Sequence, residues 1–227
     1  MAGPSKGDVA PPPTYDPILP PRIESGPPDR LGLTERDYQD AARVIGCEVA
    51  VIKAVAEVES AGRGLLPDGR PTILYEAHVF HRLTNGRFAG ARDRHGVPLS
   101  VPRWDRTLYG RSGAHQYDRL HDAMKLDERA AVMACSWGMF QIMGFNFASL
   151  GFPEVDTFQE FIEANDEPHE HLDLFVRFIM VNGLDDELRA KDWRGFARGY
   201  NGPGYEQNGY HTKMEAAYNR IVSGGQR

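Results

Sequence analysis

The chain has 227 residues, 41% of them apolar, and a formal net charge of −6. That length supports one core of roughly 150–200 residues without room for a second full domain, and the acidic balance excludes a protein that neutralises nucleic-acid phosphates with clustered Lys and Arg. The longest apolar runs, Leu174-Phe175-Val176 and Phe178-Ile179-Met180-Val181, are too short to cross a bilayer, so no membrane insertion is expected.

The charge is unevenly spread. Seven arginines fall between Arg82 and Arg111 against only Asp93 and Asp105, whereas eight acids and no Lys or Arg fall between Glu154 and Asp173. Two solvated surfaces account for this pattern; the sharper reading is that the arginine-rich stretch draws in an anionic polymer. No apolar segment with a cleavage site follows Met1-Ala2-Gly3-Pro4, which reads as synthesis in a cytoplasm without a signal peptide. In that compartment Cys47 and Cys135 are expected to stay free thiols.

Nine of the sixteen prolines lie in the first 28 residues. Residues 1–32 therefore read as a disordered, extended arm, because proline cannot donate to a hydrogen-bonded ladder. Residues 33–227 read as a single domain. Thr34, with Asp37 three residues on, predicts a capped helix ending at Gly46. Val49, Ile52, Val55 and Ala56 then recur at helical spacing, which predicts a core helix over Cys47 to Ser60, broken by Gly62 and Gly64. Thr72-Ile73-Leu74-Tyr75 reads as a short buried strand followed by a helical turn through His78 and Phe80. From Gly86 to Gly113 the pattern fades into loops suited to lining a cleft. Helical periodicity resumes with Asp127 as cap for Arg129 to Trp137, and continues in Asn146–Leu150, Phe158–Asn165, Pro168–Asn182, Leu184–Lys191, Trp193–Tyr200 and Tyr210–Val222. The fold class is mainly α with a small irregular or β-like flap.

Three short motifs carry chemistry: Glu57-Val58-Glu59-Ser60-Ala61-Gly62, Ser136-Trp137-Gly138-Met139-Phe140-Gln141-Ile142-Met143-Gly144, and Gly199-Tyr200-Asn201-Gly202-Pro203-Gly204. In this order they resemble the goose-type lysozyme and lytic transglycosylase superfamily, with its Glu-Ser at a helix end, Gly-x-Met-Gln turn and Tyr-Asn-x-Gly segment. Phe140, between Met139 and Gln141, departs from that pattern. Ile73-Leu74-Tyr75-Glu76-Ala77-His78, Cys135 to Asn146 and Phe196 to Gly202 bring the chain closer to the N-acetylmuramidase family of bacteriophage endolysins and related effectors. This similarity spans Leu33 to Val222. That family's Phe-Glu-Arg-His reads Tyr75-Glu76-Ala77-His78 here.

The resemblance implies a lysozyme-like fold and cleavage of the β-1,4 bond between N-acetylmuramic acid and N-acetylglucosamine in peptidoglycan glycan strands. It implies Tyr200 as the residue that orients the catalytic carboxyl and Gln141 as a grip on the N-acetyl sugar, with Asn201 and Met139 shaping the same wall. Glycoside cleavage needs a carboxyl that keeps its proton near neutrality, and burial among apolar groups provides one. Glu59 follows Val55 and Val58 at the end of an apolar helix and is the expected general acid, with Ser60 placed to hold its carboxyl by a hydrogen bond. Glu57, two positions back, points about 200° away around the helix. Phe140, Ile142 and Met143 read as core packing.

A second carboxylate is less determined. Glu76 is the candidate base; Asp93 and Asp105 compete with it, and a bracing role for Glu76 beside His78 or an arginine is equally consistent. A lytic transglycosylase, which uses the sugar's own hydroxyl, stays open, as do a chitinase and a non-catalytic cell-wall-binding protein of the same fold. Trp104, Tyr109 and Trp137 are candidate sugar platforms. The pairs His78/His81 and His169/His171 lack further ligands, so neither metal nor cofactor is expected. A monomer is expected, reaching the cell wall in the periplasm or outside through a holin or a secretion system.

Overall fold

The computed structural model describes residues 18–21, 26–60, 62, 64–152, 155–202 and 204–224. Most of the proline-rich arm, together with Ala61 and Pro203 of the first and third motifs, lies outside them.

Helix α1 (Glu35–Ile45) begins at a reciprocal cap. Thr34 Oγ1 accepts the Asp37 N–H, the Asp37 carboxylate accepts the Thr34 N–H at 2.7 Å, and Gly46 closes the helix at φ 80°. Helix α2 (Val49–Glu59) buries Val51, Ile52, Ala54, Val55 and Ala56. Strand β1 (Ile73–Tyr75) leads into α3 (Ala77–Leu83), and a loop with one 3-10 turn, Arg106–Leu108, leads to α4 (Ala114–Met124) and α5 (Glu128–Met133). Strands β2 (Cys135–Trp137) and β3 (Ile142–Met143) follow, then a 3-10 stretch, Gly144–Leu150. The remainder is helical: α6 (Phe158–Glu163), α7 (Pro168–Val181), α8 (Asp185–Ala190), α9 (Trp193–Asn201), α10 (Tyr205–Asn208) and α11 (Tyr210–Gly224). Cys47 and Cys135 are free thiols, and no described helix is long and apolar enough to cross a membrane.

Helix α11 packs along α2, and α1 packs on α2 as well. Helix α7 buries Leu172, Leu174, Phe175, Val176 and Ile179, and α9 turns Trp193, Phe196 and Ala197 inward. The small sheet is antiparallel with β2 at its centre: Ile73 faces Trp137 across one ladder, and Trp137 faces Ile142 across the other.

Three features differ from the sequence reading. Order does not begin at Leu33, because Leu19 and Leu31 are buried and the Leu19 N–H donates to Asp173 Oδ1 at 2.7 Å. Burying one leucine contributes about 1.5–3 kcal/mol, so this part of the arm is docked. The helix expected over Arg129 to Trp137 stops at Met133, and residues 135–137 form β2, buried on both faces; a strand covered on both sides loses the polar alternation that would announce it. The small β-like flap of the expected fold class is β1–β2–β3. Finally, α4 lies outside the helices read from the sequence, because its inward face mixes Tyr117, Leu120 and Ala123 with polar Gln116 and Arg119. Gln116 accepts the Tyr75 N–H and donates to the carbonyls of Tyr109 and Arg111, while buried Arg119 pairs with Asp93 at 3.2 Å.

Candidate active site

Thr72, just before β1, ties the segment after α2 to the turn between β2 and β3. Its N–H donates to Gly64 O at 2.6 Å, and its carbonyl accepts the Gly138 N–H at 2.8 Å. The His171 ring of α7 fills the space between the two glycines. A Cβ on Gly64 would lie 2.5 Å from His171 Nδ1, and one on Gly138 2.6 Å from His171 Cδ2. Both glycines also have positive φ, 77° and 70°, so no other residue fits either place without strain. Burial pushes the His171 pKa down to about 4, which keeps this packed ring neutral.

The arrangement sets the end of α2 beside the β2–β3 turn across a cavity of about 350 Å³. Glu59 lies on one side; Phe140, Gln141, Ile142, Met143 and Asn146 come from the turn and its continuation, and Phe178, Tyr200, Asn201 and Tyr210 from α7, α9 and α11. Burial pushes the Glu59 pKa up to about 7, against the opposing pull of a hydrogen bond from Asn201 and the charge of Lys213. The bond from Asn201 Nδ2 to Glu59 Oε1 is 2.8 Å. A carboxyl half-protonated at neutral pH, open to a cavity with aromatic and amide walls, can donate a proton to an alkoxide leaving group while ring faces and amides receive a sugar.

The other expected site residues divide. Tyr200 lines the cavity, but its hydroxyl donates to Phe140 O at 2.9 Å, so the contact with the carboxyl belongs to Asn201 instead. The Tyr200 ring is held by Phe196, stacked at 5.6 Å, and by the edges of Phe175 and Phe178. Gln141, at φ 52°, accepts from Ser136 Oγ at 2.8 Å and donates to Gly138 O at 2.8 Å and Thr72 O at 3.3 Å. Its amide knits the turn together and, among the described residues, one lone pair of Oε1 stays unengaged. Met139 is fully buried and outside the cavity lining, whereas Phe140, Ile142 and Met143, read as core, all reach it. Phe140 does both, stacking on Phe175 at 4.2 Å. Ser60 Oγ has no hydrogen-bond partner among the described residues, so the expected bond to Glu59 is not made. Glu57 points elsewhere and pairs with Arg220 at 2.6 Å.

Glu76 does not share the Glu59 cavity. It borders a separate niche of about 10 Å³, where Tyr109 Oη donates to both carboxylate oxygens at 2.8 and 3.0 Å and His78 Nδ1 lies 3.2 Å away. Its pKa is raised, chiefly by burial. Asp93 is sealed against Arg119, and Asp105 caps the Arg106–Leu108 turn through Thr107. Trp137 is buried, with its indole N–H on Val132 O, and so offers no sugar platform. Trp104 is 60% exposed, and its indole N–H donates to Tyr109 Oη at 2.7 Å. No described residue between Arg82 and Arg111 lines the Glu59 cavity, so the loops expected to line a cleft do not border this one. Arg87 and Arg94 there are paired with Asp127, Asp118 and Asp122, which blunts their pull on an anionic polymer.

Tyr210, Phe178 and Asn146 also line the cavity, and none of the three motifs contains them. Phe178 and Tyr210 sit in runs that read simply as helix, and only the packing shows which side of each helix is open.

No curated protein matches the sequence. The crystal structure of the Burkholderia AP3 phage endolysin matches with a TM-score of 0.74 at 38% identity, over 85% of this chain and 72% of that one. The family model for N-acetylmuramidases matches residues 48–222. With Glu59, Gln141 and Asn201 gathered around one cavity inside that span, the chain belongs to the N-acetylmuramidase family of peptidoglycan-cleaving enzymes.

Proposed function

We propose that the chain cleaves the β-1,4 bond between N-acetylmuramic acid and N-acetylglucosamine by hydrolysis, with Glu59 as the general acid. The observation that carries this reading is the Glu59 carboxyl itself, pushed up to about 7 by burial beside an open cavity. Its proton passes to the glycosidic oxygen as the C–O bond breaks, and the positive charge that develops on the sugar ring favours the carboxylate left behind. Asn201 holds the carboxyl at the angle from which it donates. The free lone pair on Gln141 Oε1 accepts the N–H of an N-acetyl group, Tyr200 and Tyr210 offer ring faces to the sugar, and Ser60 is a substrate-binding candidate by position alone. Trp104, pinned by Tyr109, is the candidate platform for a more distant sugar.

One observation favours a second reading. The described cavity lining contains no carboxylate besides Glu59, whereas an inverting hydrolase places its base about 6.5–9.5 Å from its acid to activate water. A lytic transglycosylase needs no such base, because the 6-hydroxyl of the muramic acid closes a 1,6-anhydro ring. Mass spectrometry of muropeptides released from purified sacculi separates the two, since the anhydro product is lighter by one water. Hydrolytic ends support the first reading and anhydro ends the second. No release by wild type alongside retained binding to sacculi supports a non-catalytic wall-binding protein, and cleavage of chitin in place of sacculi a chitinase. The same reading has the enzyme acting as a monomer on the wall in the periplasm or outside the cell, delivered by a holin or a secretion system.

A further inference from the structure

Away from the Glu59 cavity, His95 of the loop between α3 and α4 meets His115 and Asp118, which stand one turn apart on α4. One ligand atom from each lies within 4.8 Å of the others, the two imidazole centroids are 4.7 Å apart, and His95 Nε2 is 3.3 Å from Asp118 Oδ2. Two donors bound to one tetrahedral zinc-class ion at ~2.0–2.1 Å stand about 3.3 Å from each other, so this pair already has the spacing such an ion imposes.

The surroundings hold these groups in place. Asp93 Oδ1 accepts the N–H of His95 and of Val97, both at 2.9 Å, while the other oxygen of Asp93 is fixed by buried Arg119. The loop that presents His95 is thus anchored from the core. Gly110 has a φ of 71°, and a Cβ there would lie 2.7 Å from His115 Nε2; glycine leaves the edge of that imidazole open. The second oxygen of Asp118 lies 3.2 Å from Arg94 Nη1, and Arg94 is itself held through Nε and Nη2 by both oxygens of Asp122. This outer contact orients the carboxylate as second-layer partners of metal ligands do, and Asp122 offsets the guanidinium charge that would otherwise oppose a cation.

We propose that His95, His115 and Asp118 bind one divalent transition-metal ion of the zinc class, with water completing its shell, and that the ion clips the arginine-rich loop to α4. Two imidazoles with one carboxylate suit zinc, nickel or copper in preference to magnesium or calcium. None of the three residues lines the Glu59 cavity, so the role is structural. The pairs weighed in the sequence, His78/His81 and His169/His171, are not these. His95 and His115 are separated by a loop whose return onto α4 the sequence does not disclose.

The test is isothermal titration of the tag-free, metal-stripped chain with zinc chloride, and with magnesium chloride in parallel. One zinc per chain and no magnesium binding are expected. His95→Ala, His115→Ala and Asp118→Asn should each weaken zinc binding more than tenfold, with circular dichroism unchanged, while His211→Ala binds as wild type. Zinc should raise the thermal unfolding midpoint of wild type and leave that of the His95→Ala/His115→Ala double variant unmoved. Absence of zinc binding at one equivalent, equal binding of magnesium, or undiminished zinc affinity in the double variant overturns the proposal.

Discussion

Glu59 and Glu76 make an instructive pair. Each sits at a helix end, Glu59 as the last residue of α2 and Glu76 at the N-cap of α3, and burial raises both carboxyls above their ordinary range. Their surroundings part them. Glu59 faces a cavity of about 350 Å³ and, among the described residues, takes one hydrogen bond, from Asn201. Glu76 faces a niche of about 10 Å³, barely the volume of one water, and is held on both oxygens by Tyr109 with His78 alongside. Desolvation alone therefore does not distinguish the two. Room for a substrate and an oxygen left unengaged among the described residues do, which is why the proposed acid is Glu59 and the proposed role of Glu76 is bracing.

The largest expected effect separates the two directly. Glu59→Gln should lower the rate of sacculus digestion by about 10²–10⁴-fold with the fold retained, whereas Glu76→Gln should leave the rate and its pH dependence unchanged. Comparable losses in both variants would merge the two roles. Glu59→Gln also has a stability signature. Because the folded-state pKa of Glu59 is raised from 4.5 to about 7, the folded protein binds the proton more tightly, and wild-type stability falls as pH rises through that window. The glutamine variant lacks this fall. Urea denaturation should find it more stable than wild type at pH 8, by up to about 3 kcal/mol, with the difference vanishing below pH 4.5.

Next in size is Gly138→Ala, which meets His171 and forces a side chain onto a residue at φ 70°. It should destabilise the protein by about 2–4 kcal/mol, and the lowered urea midpoint should appear with a disordered cavity wall and lost activity. A smaller and more diagnostic change is Asn201→Ala. The bond from Asn201 favours the ionised form of Glu59, so removing it should raise the carboxyl pKa and carry the alkaline limb of the activity profile upward. Unchanged or lowered limbs would mean that Asn201 does not govern the acid. The smallest effect is expected from Lys213→Ala, which removes a weaker pull in the same direction and should shift that limb upward by less.

Much of this was legible in the chain. The Thr34 cap, the apolar run before Glu59 and the order of the three motifs each express a local rule, and local rules survive into the fold. What stayed hidden depends on facing. Helix α4 hid because polar Gln116 and Arg119 interrupt its buried face of Tyr117, Leu120 and Ala123, and Arg119 finds its partner only in Asp93 on a distant loop. Strand β2 hid because, covered on both faces, it has no alternation. Met139 and Phe140 exchanged roles because positive φ at Gly138 and Gln141 turns the chain sharply, and periodicity carries no information through such a turn. Asn201 in place of Tyr200 at the carboxyl is likewise a matter of one residue's rotation at the end of α9, which the motif names but does not aim.

The most direct measurement is a carboxyl-carbon NMR titration of Glu59 in the intact protein, assigned by the resonance lost in Glu59→Gln. A midpoint near 7, rising further in Asn201→Ala, is the result predicted here. A midpoint at the ordinary 4.5 would mean that the group is solvated and already ionised at neutral pH, and no proton would be there to give.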